Sequence, residues 1–218
     1  MKTGMVGVVR SGSSGRFILL PALVLCSAVA MAAAPSKLPF PRVEVGMHTD
    51  RPTGIAVEQQ RGWLITAADD RSIRVWDRDS GRLLNKAYVP MSTRKEGELY
   101  ALDIAPKHKM LAVAGWTGYE WDQKISIYIM DLDSLKILGR VRPLNERVTA
   151  LAFSRDQTRL AVSLLNGETL MFSVPDFRQI ASNTNCKAMS YKLDFSANGR
   201  LVSNCFDGFV RVYDSNLE

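Results

Sequence analysis

Residues 53–77 read TGIAVEQQRGWLITAADDRSIRVWD, and the reading of this stretch decides the fold. It runs as an alternating strand, a polar turn, a second apolar strand, a turn carrying acids, and a third strand closing on Trp76. Ile73 and Val75 alternate with Arg74, the period of a half-buried strand and not of a helix. The plan recurs in LYALDIAPKHKMLAVAGWTGYEWDQKISIYIMD (99–131), VTALAFSRDQTRLAVSLLNGETLMFS (148–173) and SYKLDFSANGRLVSNCFDGFVRVYD (190–214). The equivalent closing residues are Trp76, Met130, Phe172 and Tyr213, spaced by 54, 42 and 41 positions. A repeat of 40 to 45 residues with four short strands is the period of a propeller blade. The first spacing is longer because it contains GWTGYEWDQK (115–124) and a polar linker, Met91 to Glu98.

Composition sets the bounds. The 218 residues are 46% hydrophobic and 23% charged, ordinary for a globular chain. The net charge of +6 shrinks to about +3 once the first 34 residues are set aside, because they carry Lys2, Arg10 and Arg16 and no acids. That excess is too small to argue for nucleic acid. The same N-terminus has the three parts of a secretory signal: a basic start to Arg16, the apolar run FILLPALVLCSAVAMAAA, and small residues before Pro35. The expectation is a signal peptide over 1–33, a linker over 34–41, and a secreted or periplasmic mature chain that begins near residue 33. The alternative is a membrane anchor formed by residues 17–34, barely long enough to span. Leu25 is bulky where lipoprotein processing at Cys26 needs a small residue. No later segment is apolar enough to cross a membrane.

These in-phase repeats resemble the WD-repeat (WD40) family of β-propellers over about Val43 to Asp214. Val75-Trp76-Asp77 carries the signature dipeptide, with Asp70 six residues before Trp76 and His48 ahead of the first strand. Repeat four keeps Asp207 six before Tyr213, and Ile129-Met130-Asp131 and Met171-Phe172-Ser173 are degenerate versions. The resemblance implies an all-β, WD40-like β-propeller with four recognisable blades (about 48–88, 97–143, 144–184 and 185–218), and a partial or open one, since of the 4 to 8 blades that propellers use this family most often has seven, and repeat four stops at its third strand. Either Arg42 to Gly46 supplies the missing outer strand, or the arc is part of a larger propeller or completes itself by self-association through exposed blade edges. Repeats of this bacterial-looking style are also similar to ones in multidomain chains with a caspase-like peptidase, a domain not seen in this sequence.

In the family a histidine, a serine or threonine, the turn aspartate and the tryptophan form a network within each blade. This implies structural roles for His48, Asp70, Trp76, Asp207 and Tyr213. The family register places Cys186 at the histidine position of repeat four and Cys205 at the serine position, two before the turn aspartate. It therefore implies a Cys186–Cys205 disulfide in an oxidising compartment. By that count repeat one has Ala68, and repeat three Leu164, where the hydroxyl belongs, and the network is expected to be incomplete.

Catalytic signatures are missing from the sequence. It has two histidines, His48 and His108, and no phosphate-binding glycine loop, CxxC or GxSxG. His108 reads as a polar turn residue, Asp69-Asp70 as turn acids, and Arg140, Arg142 and Arg147 as the solvent face of an outer strand and turn. No enzyme activity, metal or cofactor is expected. The insertion Trp116–Gln123 falls between the second and third strands of blade two, on the face where this family commonly binds partners. Trp116, Tyr119 and Trp121 supply aromatic anchors of the kind favoured at interfaces, with Glu120 and Asp122 setting charge preference. A cation site at those two acids is a weaker reading, and rings folded inward as a plug are another. Asp69, Leu165 and Phe206 share the face by register. The expected function is a non-catalytic protein–protein interaction module or scaffold with a protein partner, no nucleic acid, and no membrane contact beyond the signal. The alternatives are an enzyme or redox propeller with a cofactor in its central channel, and a structural half-propeller that self-assembles.

Overall fold

The computed structural model describes residues 46–90, 96–119, 124–214 and 216–218. Residues 1–41, for which the sequence suggests a signal and a linker, and residues 42–45 of the suggested closing strand lie outside them. The described residues form β1 (Pro52–Glu58), β2 (Trp63–Ala68), β3 (Ser72–Asp77) and β4 (Leu83–Tyr88) in one antiparallel sheet. A second sheet holds β5 (Leu99–Ala105), β6 (Met110–Gly115), β7 (Gly118–Tyr119), β8 (Lys124–Asp131) and β9 (Ile137–Leu144). The third is β10 (Val148–Phe153), β11 (Arg159–Leu164), β12 (Thr169–Ser173) and β13 (Gln179–Asn183); the last is β14 (Leu193–Phe195), β15 (Leu201–Asn204) and β16 (Val210–Tyr213). One 3-10 turn, Pro106–His108, joins β5 to β6.

Alternation gives each blade two faces, and neighbouring blades bury them against each other. Between blades two and three, Ile127, Ile129 and Val141 meet Leu151, Phe153, Leu160, Val162, Leu170 and Phe172. Each such aliphatic or aromatic side chain contributes roughly 1.5–3 kcal/mol when fully buried. Blades one and two share Ile65, Ile73, Val75, Leu102, Leu111 and Tyr128, and blades three and four share Met171, Leu193, Phe195, Leu201 and Tyr213. Inner strands β1, β5, β10 and β14 pack in chain order.

The acid after the signature aromatic has a local cause. Asp77 Oδ1 accepts the Ser80 amide at 2.7 Å and Asp131 Oδ1 the Ser134 amide at 2.7 Å. Each closes the turn into the fourth strand, with Gly81 and Leu135 at positive φ just beyond.

The pattern within 115–124 is not simply broken, because a short strand stands in it. β7 pairs with the start of β8, Gly118 opposite Ile125 and Tyr119 opposite Lys124. Gly118, at φ +146, lies where a Cβ would meet the Lys124 carbonyl at 2.0 Å, so no other residue fits. The buried Thr117 hydroxyl donates to the Ser126 carbonyl and the Ser126 amide to the Thr117 carbonyl.

Candidate functional site

At one end of every blade, the turn between its second and third strands meets the loop leading into its innermost strand. The same backbone bond joins them in all four: Asp69 N–H to the Arg51 carbonyl (3.0 Å), Trp116 to Glu98 (2.9 Å), Leu165 to Arg147 (2.8 Å) and Phe206 to Met189 (2.9 Å). Asp69, Trp116, Leu165 and Phe206 thus hold equivalent positions along one rim, with Arg51, Glu98, Arg147 and Met189 beside them.

The chemistry of this rim changes along the arc. In blade one, Arg51 Nη2 lies 2.9 Å from Asp69 Oδ2; burial raises the Asp69 carboxyl, with Arg51 opposing. In blade two, Tyr100 donates to Glu98 Oε2 at 2.7 Å, and burial together with that bond pushes the phenol up. The Arg147 guanidinium, reaching back from blade three, sits 3.9 Å from the centroid of the Trp116 ring. Trp116 is therefore half-buried beneath a cation, neither a free projecting anchor nor a plug. In blade four, Phe206 is exposed and meets Tyr191 edge to face at 5.2 Å. Tyr191 Oη lies 3.4 Å from Met189 Sδ. Met189, Tyr191 and Phe206 form an exposed apolar cluster.

Of the expected insertion residues, Glu120, Trp121 and Asp122 lie outside the described residues, and Tyr119 contributes its backbone to β7. Sequence reasoning passed over Arg147, Met189 and Tyr191. The sequence pattern places Arg147 with the solvated arginines of β9 and the turn after it, whereas its side chain covers Trp116. The register carried the missing signal: Arg147 and Met189 occupy the lead-in position that faces the turn residue in each blade. His108 Nε2 lies 3.0 Å from the Gln157 carbonyl of blade three, so it ties two blades together and is not merely solvated.

Behind the rim, two different clasps hold the lead-in loops. In blade one, His48 Nε2 lies 2.7 Å from Thr66 Oγ1, Trp76 Nε1 donates to the same oxygen at 2.8 Å, and His48 Nδ1 lies 3.2 Å from Asp70. Buried Arg74 lies 3.7 Å from Asp70 and donates to the Gly46 carbonyl at 2.7 Å. Burial raises the Asp70 carboxyl, but bonds from Ser72, Thr49 and His48 outweigh it and hold it below the usual range. The expected Ala68 gap is corrected: the hydroxyl stands at Thr66, four before Asp70, and the network is complete. In blade three the residue in Thr66's place is Val162, opposite Leu170 as Thr66 is opposite Arg74, so Leu164 is likewise not the hydroxyl position.

Blade four keeps the same frame and changes the clasp. Ser203 is opposite Arg211, and Leu201 opposite Tyr213, as Thr66 is opposite Arg74 and Leu64 opposite Trp76. Arg211 Nη1 donates to Asp207 at 3.0 Å and Nη2 to the Asn185 carbonyl at 3.2 Å, mirroring Arg74. Where His48 would stand, Cys186 is disulfide-bonded to Cys205, with the Cα atoms 5.8 Å apart. Cys205 corresponds to Ala68 and not to the hydroxyl position, which Ser203 fills.

Twisted meander sheets side by side, each turned at the same corner and clasped to its lead-in loop, define an all-β, WD40-like β-propeller arc of four blades. A family model described as WD domain, G-beta repeat matches residues 42–77. Among curated proteins, Autophagy-related protein 16 of Arabidopsis thaliana is 23% identical over 166 residues, covering 73% of this chain and 29% of that protein. Among solved structures, that of U3-55K superposes with a TM-score of 0.66 at 22% identity, covering 77% of this chain and 50% of the other. The crystal structure of RRP9 WD40 repeats gives 0.65 at 22%, covering 77% and 49%. The chain thus spans half or less of each of these proteins, and the structural likeness is one of fold.

Proposed function

We propose that this chain is a non-catalytic, exported protein-interaction module whose contact surface is the rim carrying Trp116, Arg147, Met189, Tyr191 and Phe206. The observation that carries the reading is the exposed Met189–Tyr191–Phe206 cluster, in line with the Arg147-capped Trp116. Large rings with a polar or polarisable tip, held on rigid turns, bury area at low entropic cost. The charged end of the rim, Arg51, Asp69 and Glu98, supplies orientation.

The non-catalytic part rests on the geometry of a suggestive constellation among the described residues. Thr66, His48 and Asp70 are ordered like a hydroxyl–imidazole–carboxylate relay, but the Thr66 oxygen is already the acceptor for Trp76 and the His48 and Asp70 side chains are 6% and 5% exposed. A nucleophile needs a face open to substrate.

Export is supported by the three-part N-terminus. The test pairs both halves of the reading: chain recovered from the exported fraction should have a mass that begins near residue 33, and immobilised it should retain proteins from that fraction which a Trp116→Ala/Phe206→Ala double variant loses at least tenfold. Equal recovery by the two forms would remove the rim as the contact surface.

A further inference from the structure

The ends of the blades opposite the rim sort their charges. Each innermost strand runs from the rim to a turn that leads back along the second strand. In blades two, three and four that turn carries Lys107 and Lys109, then Arg155 and Arg159, then Arg200, against one exposed carboxylate, Asp156. Asp156 turns Oδ1 back into its own loop, accepting the Ser154 hydroxyl at 2.5 Å and the Thr158 amide at 3.1 Å. Among the described residues none of the five cations forms an ion pair. Arg61, on the same turn of blade one, is paired with Asp133.

The five cations form one strip because each turn is tied to the next. Lys107 N–H donates to Gln157 Oε1 at 2.8 Å and its Nζ to the Asp156 carbonyl at 3.4 Å, which fixes the blade two turn against that of blade three. Arg159 reaches on to blade four: its guanidinium lies 5.5 Å from the centroid of the buried Phe195 ring, and its Nη2 is 3.8 Å from where a Cβ on Gly199 would stand. Arg200 follows Gly199 and repeats the register of Arg159, since the Ser196 amide donates to the Arg200 carbonyl as the Ser154 amide does to that of Arg159. Side chains already held by their neighbours lose less freedom on meeting a ligand.

The strip is also narrow. The turns between the third and fourth strands lie directly outside it, Leu132 N–H bonded to the Lys109 carbonyl at 2.9 Å and Val174 N–H to that of Thr158 at 2.8 Å. These outer turns set Asp131, Asp133 and Asp176 against Lys136 and Arg178, so positive charge is in excess only along the inner line. Asp214, close enough to Arg200 to feel its charge, bounds the strip in blade four. A lipid surface or a nucleic-acid duplex, broad enough to cover inner and outer turns together, would press on those carboxylates as well as on the cations. A single nucleic-acid strand needs rings on which to stack, and residues 106–109, 154–158 and 196–200 contain no Trp, Tyr or Phe.

We propose that this strip is a second contact surface, separate from the rim, and that it takes an extended acidic segment of a partner protein. Carboxylates spaced along one chain meet guanidinium and ammonium groups one by one, and a single extended chain stays inside the acidic border. The proposal does not rest on the rim, which lies at the opposite ends of the same strands.

Fluorescence anisotropy of a labelled peptide of about ten glutamates, titrated with the chain, tests it. Binding is expected at low salt, weakening about tenfold between roughly 50 and 300 mM salt. Lys107→Glu/Arg155→Glu, at exposed turn positions, should lower the affinity about tenfold with unchanged circular dichroism, whereas Arg178→Glu on an outer turn should leave it within about twofold. Ala197→Arg adds a cation to the exposed blade four turn and should tighten binding about threefold, a gain that no loss of fold can imitate. A peptide that does not bind at low salt overturns the proposal, as does a double variant that binds like the wild type, an Arg178→Glu protein that loses as much, or no gain from Ala197→Arg. Tighter binding of oligothymidylate or of anionic lipid vesicles than of the peptide overturns the choice of an acidic protein segment.

Discussion

Thr66 and Asp103 show how much a single position depends on its row within a sheet. Side chains two and four residues apart share a strand face, so Ala68 and Thr66 both face His48's side and alternation cannot say which one meets the ring. Counting back from Asp70 locates the face; only the pairing of Thr66 with Arg74 locates the row. The Cys186–Cys205 pairing survived the same slip because a neighbouring row is still within disulfide reach. Asp103 was invisible to sequence reading, since an acid on an alternating strand counts as its polar face. Burial pushes its carboxyl up to about 6, against the amides of Phe153 and Ile104 that lower it and with Asp194 adding to the rise. In the unfolded chain it titrates near the ordinary carboxylate value, so between about pH 4 and 6 the native state binds more protons than the unfolded one. Its contribution is therefore fully present below pH 4 and is lost as pH rises through 6. Carboxyls held low, such as Asp156 at about 2 through Ser154 and Thr158, act oppositely and only at lower pH. Urea denaturation from pH 3.5 to 7 should show wild-type stability falling across that window relative to Asp103→Asn; parallel profiles would contradict the assignment.

At the scale of the element, blades one and four solve one problem with different chemistry. The loop leading into an inner strand has no sheet partner of its own and needs a tie. Blade one uses His48, Thr66, Asp70 and a buried arginine; blade four keeps the arginine and the aspartate and replaces the imidazole clasp with a covalent bond. The need is greater there, because among the described residues the blade four sheet has three strands and they are short. Gly167 adds a steric contribution: at φ +89 it lies where a Cβ would meet the Ala188 and Cys186 carbonyls at 2.2 and 2.4 Å, so blade three presses directly on the clasped loop. The bond closes a loop of 19 residues in sequence separation, worth about 3 kcal/mol in the chain-entropy account. The Cys186→Ser/Cys205→Ser protein should lose about that much in urea denaturation, and reducing agent should lower wild-type stability to the level of the variant while leaving the variant itself unmoved.

Taken whole, an arc of blades is quasi-one-dimensional: each blade is stabilised by its neighbours, and the terminal ones have fewer. The in-phase repeat made that architecture legible, because a period of about 42 residues with four strands has few other solutions. The curvature of the arc and the state of its two end faces depend on what packs there, and no periodicity encodes that. Local stability should follow position. Blades two and three share the largest apolar cluster and are each flanked on both sides, while among the described residues blade four has one seam and the disulfide. Native-state hydrogen exchange should therefore protect the amides of β6, β8 and β11 most and those of β15 and β16 least. Reduction should speed exchange in β15 and β16 well before it affects β6.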